Sequence, residues 1–362
     1  MVPMTPGIHR PGLAVLLCAV VSACGAPPTP IPSTTTTPAS APPAASTPAT
    51  NAPSPAASTG PQASSTEAPP ACAEATLAYD PPSEAMLLFN CVDQLNPASI
   101  EEVWSWDGRT WWRLDGVGPP ATVVAGVAYD PAGREAVRYG GLPMDSNDCV
   151  PETWGWSVAG WEHIDAEPPT ACDHMLVVRD TARDVFVLFG GGDADGSLVT
   201  ETWTWDGATW QKAASDGPSG RAHFGFVYDD DHQQGLLYGG YDGAAVFDDF
   251  WSWDGSAWTE IDFPGPGRRS HHGLAVGGGR SLLFGGADGP STFSTLHDDT
   301  WLLTDGRWTE LDGHGPSTRG SPALAHDAGR DVFVLHGGFG PDGGLLGDTW
   351  EWDDSWACVS GC

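Results

Sequence analysis

Positive charge is the scarcest commodity in this 362-residue chain. Lys212 is its only lysine, and 15 Lys and Arg face 47 Asp and Glu, for a formal charge of −32. A surface of that sign repels a phosphate backbone, so nucleic acid is excluded as a partner, and so is docking on anionic lipid through a basic patch. A cationic partner, bound cations or plain solubility stay compatible with it. No apolar run is long enough to cross a bilayer as a helix. No stretch sustains helical periodicity, and no nucleophile motif or phosphate loop occurs. Tyrosine is also sparse, and five of the six (Tyr79, Tyr129, Tyr139, Tyr228, Tyr238) fall on repeat positions, which leaves Tyr241 alone for any tyrosine-ligated copper.

The first 70 residues contain little that can fold. His9 and Arg10 precede a short apolar run from Leu13 to Val21, the layout of an export signal. Val21-Ser22-Ala23-Cys24 resembles the lipobox of bacterial lipoproteins. That resemblance implies cleavage after residue 23 and acylation of Cys24. Gly25 to Pro70 consists almost wholly of Pro, Ala, Ser and Thr, with Glu67 its one charge. Such a segment buries too little apolar surface to offset the entropy of ordering, so 24–70 reads as a flexible tether.

What the chain does have is tryptophan, and a period. Trp203-Thr204-Trp205-Asp206-Gly207-Ala208-Thr209-Trp210 has near-copies beginning at Trp104, Trp154, Trp251, Trp301 and Trp350. The copies recur about every 49 residues and contain all 18 tryptophans, the mark of one supersecondary unit repeated six times. Each unit reads as four short strands. The first ends in a pair such as Tyr79-Asp80 or Tyr228-Asp229, and the second is an apolar run closing on glycines, as at Gly190-Gly191 and Gly239-Gly240. The third carries Trp-x-Trp with both rings on one face. An Asp-Gly hairpin signal then leads to a fourth strand that opens on another tryptophan. Six such sheets bury their aromatics by packing face to face around an axis, which predicts an all-β, six-bladed propeller of four-stranded antiparallel blades over 71–362.

The apolar run plus Gly-Gly and the downstream tryptophans resemble the kelch-type propellers, including the central domain of galactose oxidase-like proteins. Two departures stand out: the family's tyrosine soon after the glycine pair is missing, and the first blade has Asn90-Cys91 in place of the pair. The resemblance implies that partners bind on the face bearing the loops after strand two and before strand one. In this chain those loops include 91–102, 142–151, 192–200, 241–248 and 287–297.

Beyond Cys18 and Cys24, six cysteines remain, and an exported protein is expected to join them in three disulfides. Cys149 and Cys172 lie on one face of neighbouring blades and are expected to pair. Cys72 and Cys91 sit in the first blade, Cys358 and Cys362 in the last. At least one of the last two is expected to reach Cys72 or Cys91 and staple the ring shut. No metal or other cofactor is expected.

One repeat position carries chemistry. His174, His223 and His271 share it with Ser321, Val124 and Glu74, and it lies where the innermost strands begin. Arg221, Arg269 and Arg319 come two residues earlier, with a fork suited to a carboxylate or sulfate. These six His and Arg are the candidate ligand-binding residues, against the plain alternative that they bond backbone between blades. Asp193, Asp195 and the pairs Asp248-Asp249 and Asp298-Asp299 read as solvated loop acids. The sequence thus predicts an exported, lipid-anchored monomer that recognises a protein or glycan without catalysis. The alternatives are an enzyme acting on an acidic sugar at the channel mouth and a pure scaffold.

Overall fold

The computed structural model describes residues 63–65, 68–93, 102–114, 118–119, 121–143, 146, 148–262, 264–289 and 295–362. The export signal and Cys24 lie outside them. Among the described residues no helix is long and apolar enough to cross a membrane.

The chain forms six four-stranded antiparallel sheets arranged as a β-propeller. The third blade shows the plan: Leu176–Asp180, Val185–Phe189, Thr202–Trp205 and Trp210–Ala214 run from the axis outwards in chain order. Register keeps the repeat's tryptophans on one face, with Trp205 opposite Trp210 and Leu188 opposite Trp203. The innermost strands, Thr76–Asp80, Gly126–Asp130, Leu176–Asp180, Gly225–Asp229, Gly273–Gly277 and Ala323–Asp327, pack side by side around a central channel. Ala63–Ser65, expected within the tether, instead adds a fifth, outer strand to the first blade by pairing with Trp111–Leu114.

The core lies between blades rather than within them, as a sheet that is apolar on both faces demands. Trp205 and Trp210 of the third blade pack with Tyr139 and Val137 of the second, and Trp253 of the fourth packs with Val187 and Phe189 of the third. The second tryptophan of each Trp-x-Trp is nearly inaccessible, as at Trp106, Trp205 and Trp253. Burial of 150–250 Å² per ring makes these the largest single contributions to the wedge between sheets.

A hydrogen bond repeats at four of the six seams. The fourth-strand tryptophan donates its indole N–H to the threonine that opens the third strand of the preceding blade: Trp210 to Thr153 at 2.9 Å, Trp258 to Thr202 at 2.8 Å, Trp356 to Thr300 at 2.8 Å. Trp111 reaches Thr349 at 3.0 Å, so the same bond joins the first blade to the last. Two seams lack the threonine. Val103 and Phe250 stand in its place, and there the buried indole nitrogens of Trp161 and Trp308 have no partner.

The glycine pairs serve the same seams. The second glycine donates to a carbonyl of the next blade, Gly191 to Arg221 and Gly240 to Arg269, both at 2.9 Å. The first holds a left-handed φ, and a β-carbon on Gly239 would meet the Arg269 carbonyl at 2.4 Å. Asn90 takes that conformation in the first blade, with φ 55°, a residue that tolerates it better than most.

The structure pairs Cys149 with Cys172 across the second and third blades, at a Cα separation of 5.8 Å. The expected covalent staple between last and first blades is not formed. Cys72 instead pairs with Cys91 inside the first blade, and Cys358 with Cys362 inside the last. Radius explains the correction: Cys358 lies on the outermost strand Trp356–Ser360, whereas Cys72 and Cys91 flank the two inner strands. The ring closes through Trp111–Thr349, the Trp106 indole on Glu351 at 3.0 Å, and the Gly338 amide on the Cys72 carbonyl at 2.8 Å.

Candidate functional site

The six residues at the shared position, Glu74, Val124, His174, His223, His271 and Ser321, all have φ between 48° and 58°. This turn directs the chain from the loop face into the innermost strand. Amides here bond to the neighbouring blade's carbonyl: His174 to Val124 at 2.9 Å, His271 to His223 at 2.8 Å, Ser321 to His271 at 2.6 Å, Glu74 to Ser321 at 3.2 Å. The result is a backbone girdle around the axis, with the six side chains lining one end of a channel of about 620 Å³. The sequence-based placement of the histidines at a channel mouth therefore describes this end of the channel.

Within the collar the histidines are in mutual contact. The rings of His223 and His271 stack at 3.8 Å between centroids, and His174 meets His223 edge-on at 4.7 Å. His174 Nδ1 lies 2.8 Å from Asp173. Burial drives the His271 pKa down to about 3, with a smaller push from His174. Burial, then the rings of His271 and His174, hold His223 well below its ordinary value. These two imidazoles are neutral at physiological pH, with polarisable faces and lone pairs.

Glu74 behaves in the opposite sense. Burial raises its pKa to about 7, against the pull of His174. Both carboxylate oxygens are enclosed and no side-chain donor bonds them; the Val124 backbone amide is the group that favours the ionised form alongside His174. His271 Nε2 is buried and unsatisfied, while its Nδ1 lies 3.0 Å from Ser270 Oγ. The sequence placed Glu74 at this position without assigning it a role. Its identity was legible there, whereas its enclosure depends on five other blades.

The arginines are not where a ligand meets them. Arg221, Arg269 and Arg319 are buried, and each grips an aspartate of its own blade through both terminal nitrogens. Arg221 holds Asp249 at 2.6 and 2.8 Å, Arg269 holds Asp299 at 2.9 and 3.0 Å, and Arg319 holds Asp348 at 2.7 and 2.8 Å. Each also donates to the carbonyl of its first repeat glycine, as Arg221 does to Gly239 at 2.9 Å. The anion clamp expected from the sequence is thus already filled by the chain itself. Asp249 and Asp299, read as solvated acids, are its internal anions, and each also accepts the indole N–H two residues on, from Trp251 at 2.8 Å and Trp301 at 2.7 Å. A signal for this was present in the repeat: the three blades with arginine have aspartate before the third strand, and the three without it have Glu102, Glu152 and Glu201. At the arginine's place the first and third blades have Cys72 and Cys172, each in a disulfide, so a covalent bond ties down the loop there.

The loops share the collar's face. The residue before each collar position bridges to the residue after the glycine pair, and that residue bridges in turn to the returning loop, as Ala222 to Tyr241 to Val246 and Gly320 to Phe339 to Leu345. Phe339 stands edge-on to His271 at 5.8 Å. Ala73, Ala287, Leu296 and Phe339 form a small apolar cluster beneath the loop tips. Asp193, Asp242 and Asp342 cap those tips by accepting backbone amides. Among the described residues, Cys149, Cys172 and Asp173 bring possible metal-ligand atoms within 4.8 Å of one another, but both sulfurs are spent in the disulfide.

No protein-family model matches the sequence, and no curated protein does. Among solved structures, the one titled "Structure of YjhT" matches with a TM-score of 0.65, over 81% of this chain and 99% of that one. Identity is 12%, which speaks to fold alone. The neighbour shares the fold.

Proposed function

We propose that this chain is a non-catalytic recognition module, a kelch-like propeller carried by a bacterial lipoprotein, that binds a protein partner through the face bearing the collar and long loops. One observation carries the reading. On that face the buried arginines are consumed by internal aspartates, while the enclosed Glu74 carboxylate has no side-chain donor and His271 Nε2 is buried without a partner. Natural folds rarely leave such atoms unpaired without a use for them. Charge supports the same reading. Among the described residues, ion pairs engage eleven Lys and Arg, which leaves little positive charge to offset a formal net charge of −32. That field attracts a cationic partner and repels an acidic sugar, for which the arginine clamp is in any case closed.

The test screens the full chain against cell-surface proteins and glycans, with Asp193→Ser, Asp242→Ser and Asp342→Ser as loop-face variants. Binding that weakens in these variants and falls steeply with salt is the expected result. Ligands that ignore all three substitutions, yet are lost when the Asp-Gly turns of the opposite face are changed, overturn the proposal. For the anchor, Cys24→Ser is expected to release the protein from membranes.

A further inference from the structure

We propose that the collar is a binding site for a primary ammonium group, presented by a lysine side chain of the partner and held by Glu74, Ser321 and His271. The inference rests on the protein-recognition reading above and names the chemistry of its central contact.

Three consecutive blades supply the site. Glu74 belongs to the first, Ser321 to the sixth and His271 to the fifth, and their backbones are bonded in series, Glu74 to Ser321 and Ser321 to His271. Their side chains line the same end of the channel. An ammonium has three N–H donors and no acceptor. The collar offers a carboxylate, a hydroxyl and an imidazole nitrogen, three acceptors for three donors. His271 Nε2 is buried and unsatisfied in the free protein and His271 is 6% exposed, while the enclosed Glu74 carboxylate has the Val124 backbone amide but no side-chain donor, which leaves it lone pairs to offer. For Nε2 to accept, His271 must carry its proton on Nδ1, where Ser270 Oγ at 3.0 Å stands ready to receive it. Guanidinium is the poorer occupant, since its planar fork seeks paired acceptors in one plane rather than three around a point. The His223 and His271 rings stack on each other, and both residues line the channel.

Charge and pH follow from the neighbours. Glu74 feels the charge of His174 from the third blade, which is itself bonded to Asp173; His223 and His271 from the fourth and fifth blades line the same channel, and Val124 and Ser321 carry no charge. Arg179 and Asp229 to Asp231 line the channel towards the far ends of the innermost strands. With His223 and His271 neutral, no cation on them competes with the incoming ammonium. Glu74, raised to about 7, is mostly protonated at pH 6 and mostly ionised at pH 8. Binding an ammonium requires the ionised form, so it drives a proton off Glu74 at pH 6 and almost none at pH 8.

The experiment is calorimetry of the full chain with N-acetyl-lysine methylamide and with the same probe acetylated on Nζ. Expected results are binding of the free amine alone, affinity about tenfold higher at pH 8 than at pH 6, and uptake by the buffer of nearly one proton at pH 6. Glu74→Gln is expected to weaken binding by about thirtyfold and Ser321→Ala severalfold, as for loss of a charge-assisted and a neutral hydrogen bond. The acetylated probe and the pH series use the unmutated protein, so they decide the matter even if a variant folds poorly. Equal binding of both probes, no binding of either, no proton release at pH 6, or indifference to Glu74→Gln overturns the inference. The probe does not span the loop tips, so its failure leaves the loop-face reading to stand or fall on the loop variants.

Discussion

At the scale of single residues, two kinds of buried carboxylate coexist in the propeller. Asp299 and Asp348 would be raised by burial, yet the guanidinium forks of Arg269 and Arg319 hold both below the ordinary carboxylate range. Glu74 has no such partner and is raised. The consequences for stability have opposite signs. A carboxylate depressed in the fold contributes stability above its unfolded pKa and loses it as pH falls through the folded one. Glu74 does the reverse: between its unfolded value and about 7 the fold holds more protons than the unfolded chain, so stability drops as pH rises through that window. Glu74→Gln is therefore expected to raise the melting temperature at pH 8, by an amount corresponding to about 2–3 kcal/mol, and to change it little at pH 5; parallel thermal scans check this. The histidines add an acid limit. Burial lowers His271 and His272 to about 3 and His336 to about 4. The unfolded chain then takes up protons that the fold refuses below about 6.5, and melting temperature is expected to fall as pH drops from there towards 4.

At the scale of the element, each blade solves the same few problems with a short vocabulary. The Asp-Gly turns work because the aspartate accepts the amides that follow: Asp206 from Ala208 and Thr209 at 3.0 and 2.8 Å, Asp254 from Ser256 and Ala257 at 2.8 Å each. Such local signals, with strand alternation and the glycine pairs, made the blades legible in sequence, down to the strand on which each tryptophan sits. What escaped was pairing at a distance. Arg221 and Asp249 are 28 residues apart and no local pattern links them; only reading the repeats in columns does. The seam bond makes its own prediction. Val103→Thr restores the acceptor that Trp161 lacks at nearly constant volume, and is expected to stabilise the protein by about 0.5–1 kcal/mol, measured by denaturant titration. An unchanged midpoint would mean that the two groups do not meet.

At the scale of the whole molecule, the ring is closed by packing and hydrogen bonds, not by a covalent clasp. The three disulfides span 19, 23 and 4 residues and none joins the last blade to the first. They fit an oxidising compartment outside the cytosol. Each of the two longer bonds closes a loop worth about 3 kcal/mol in the chain-entropy model. Reduction is thus expected to lower the melting temperature in one cooperative step, with the sheet signature in circular dichroism retained below it; loss of that signature on reduction alone would contradict a ring held by its seams. The six-blade plan followed from period and composition because every blade must bury the same aromatics. The collar's character did not, because it arises only when six remote turns meet at one axis. The arginines build the ring, whereas Glu74, raised by burial and without a guanidinium partner, is the group proposed above for a ligand. Thermal denaturation of the full chain at pH 8 tests that division in one comparison. Arg269→Gln, which strands Asp299 without its partner, is expected to destabilise by about 3 kcal/mol, whereas Glu74→Gln is expected to stabilise. Shifts of the same sign in the two variants would contradict it.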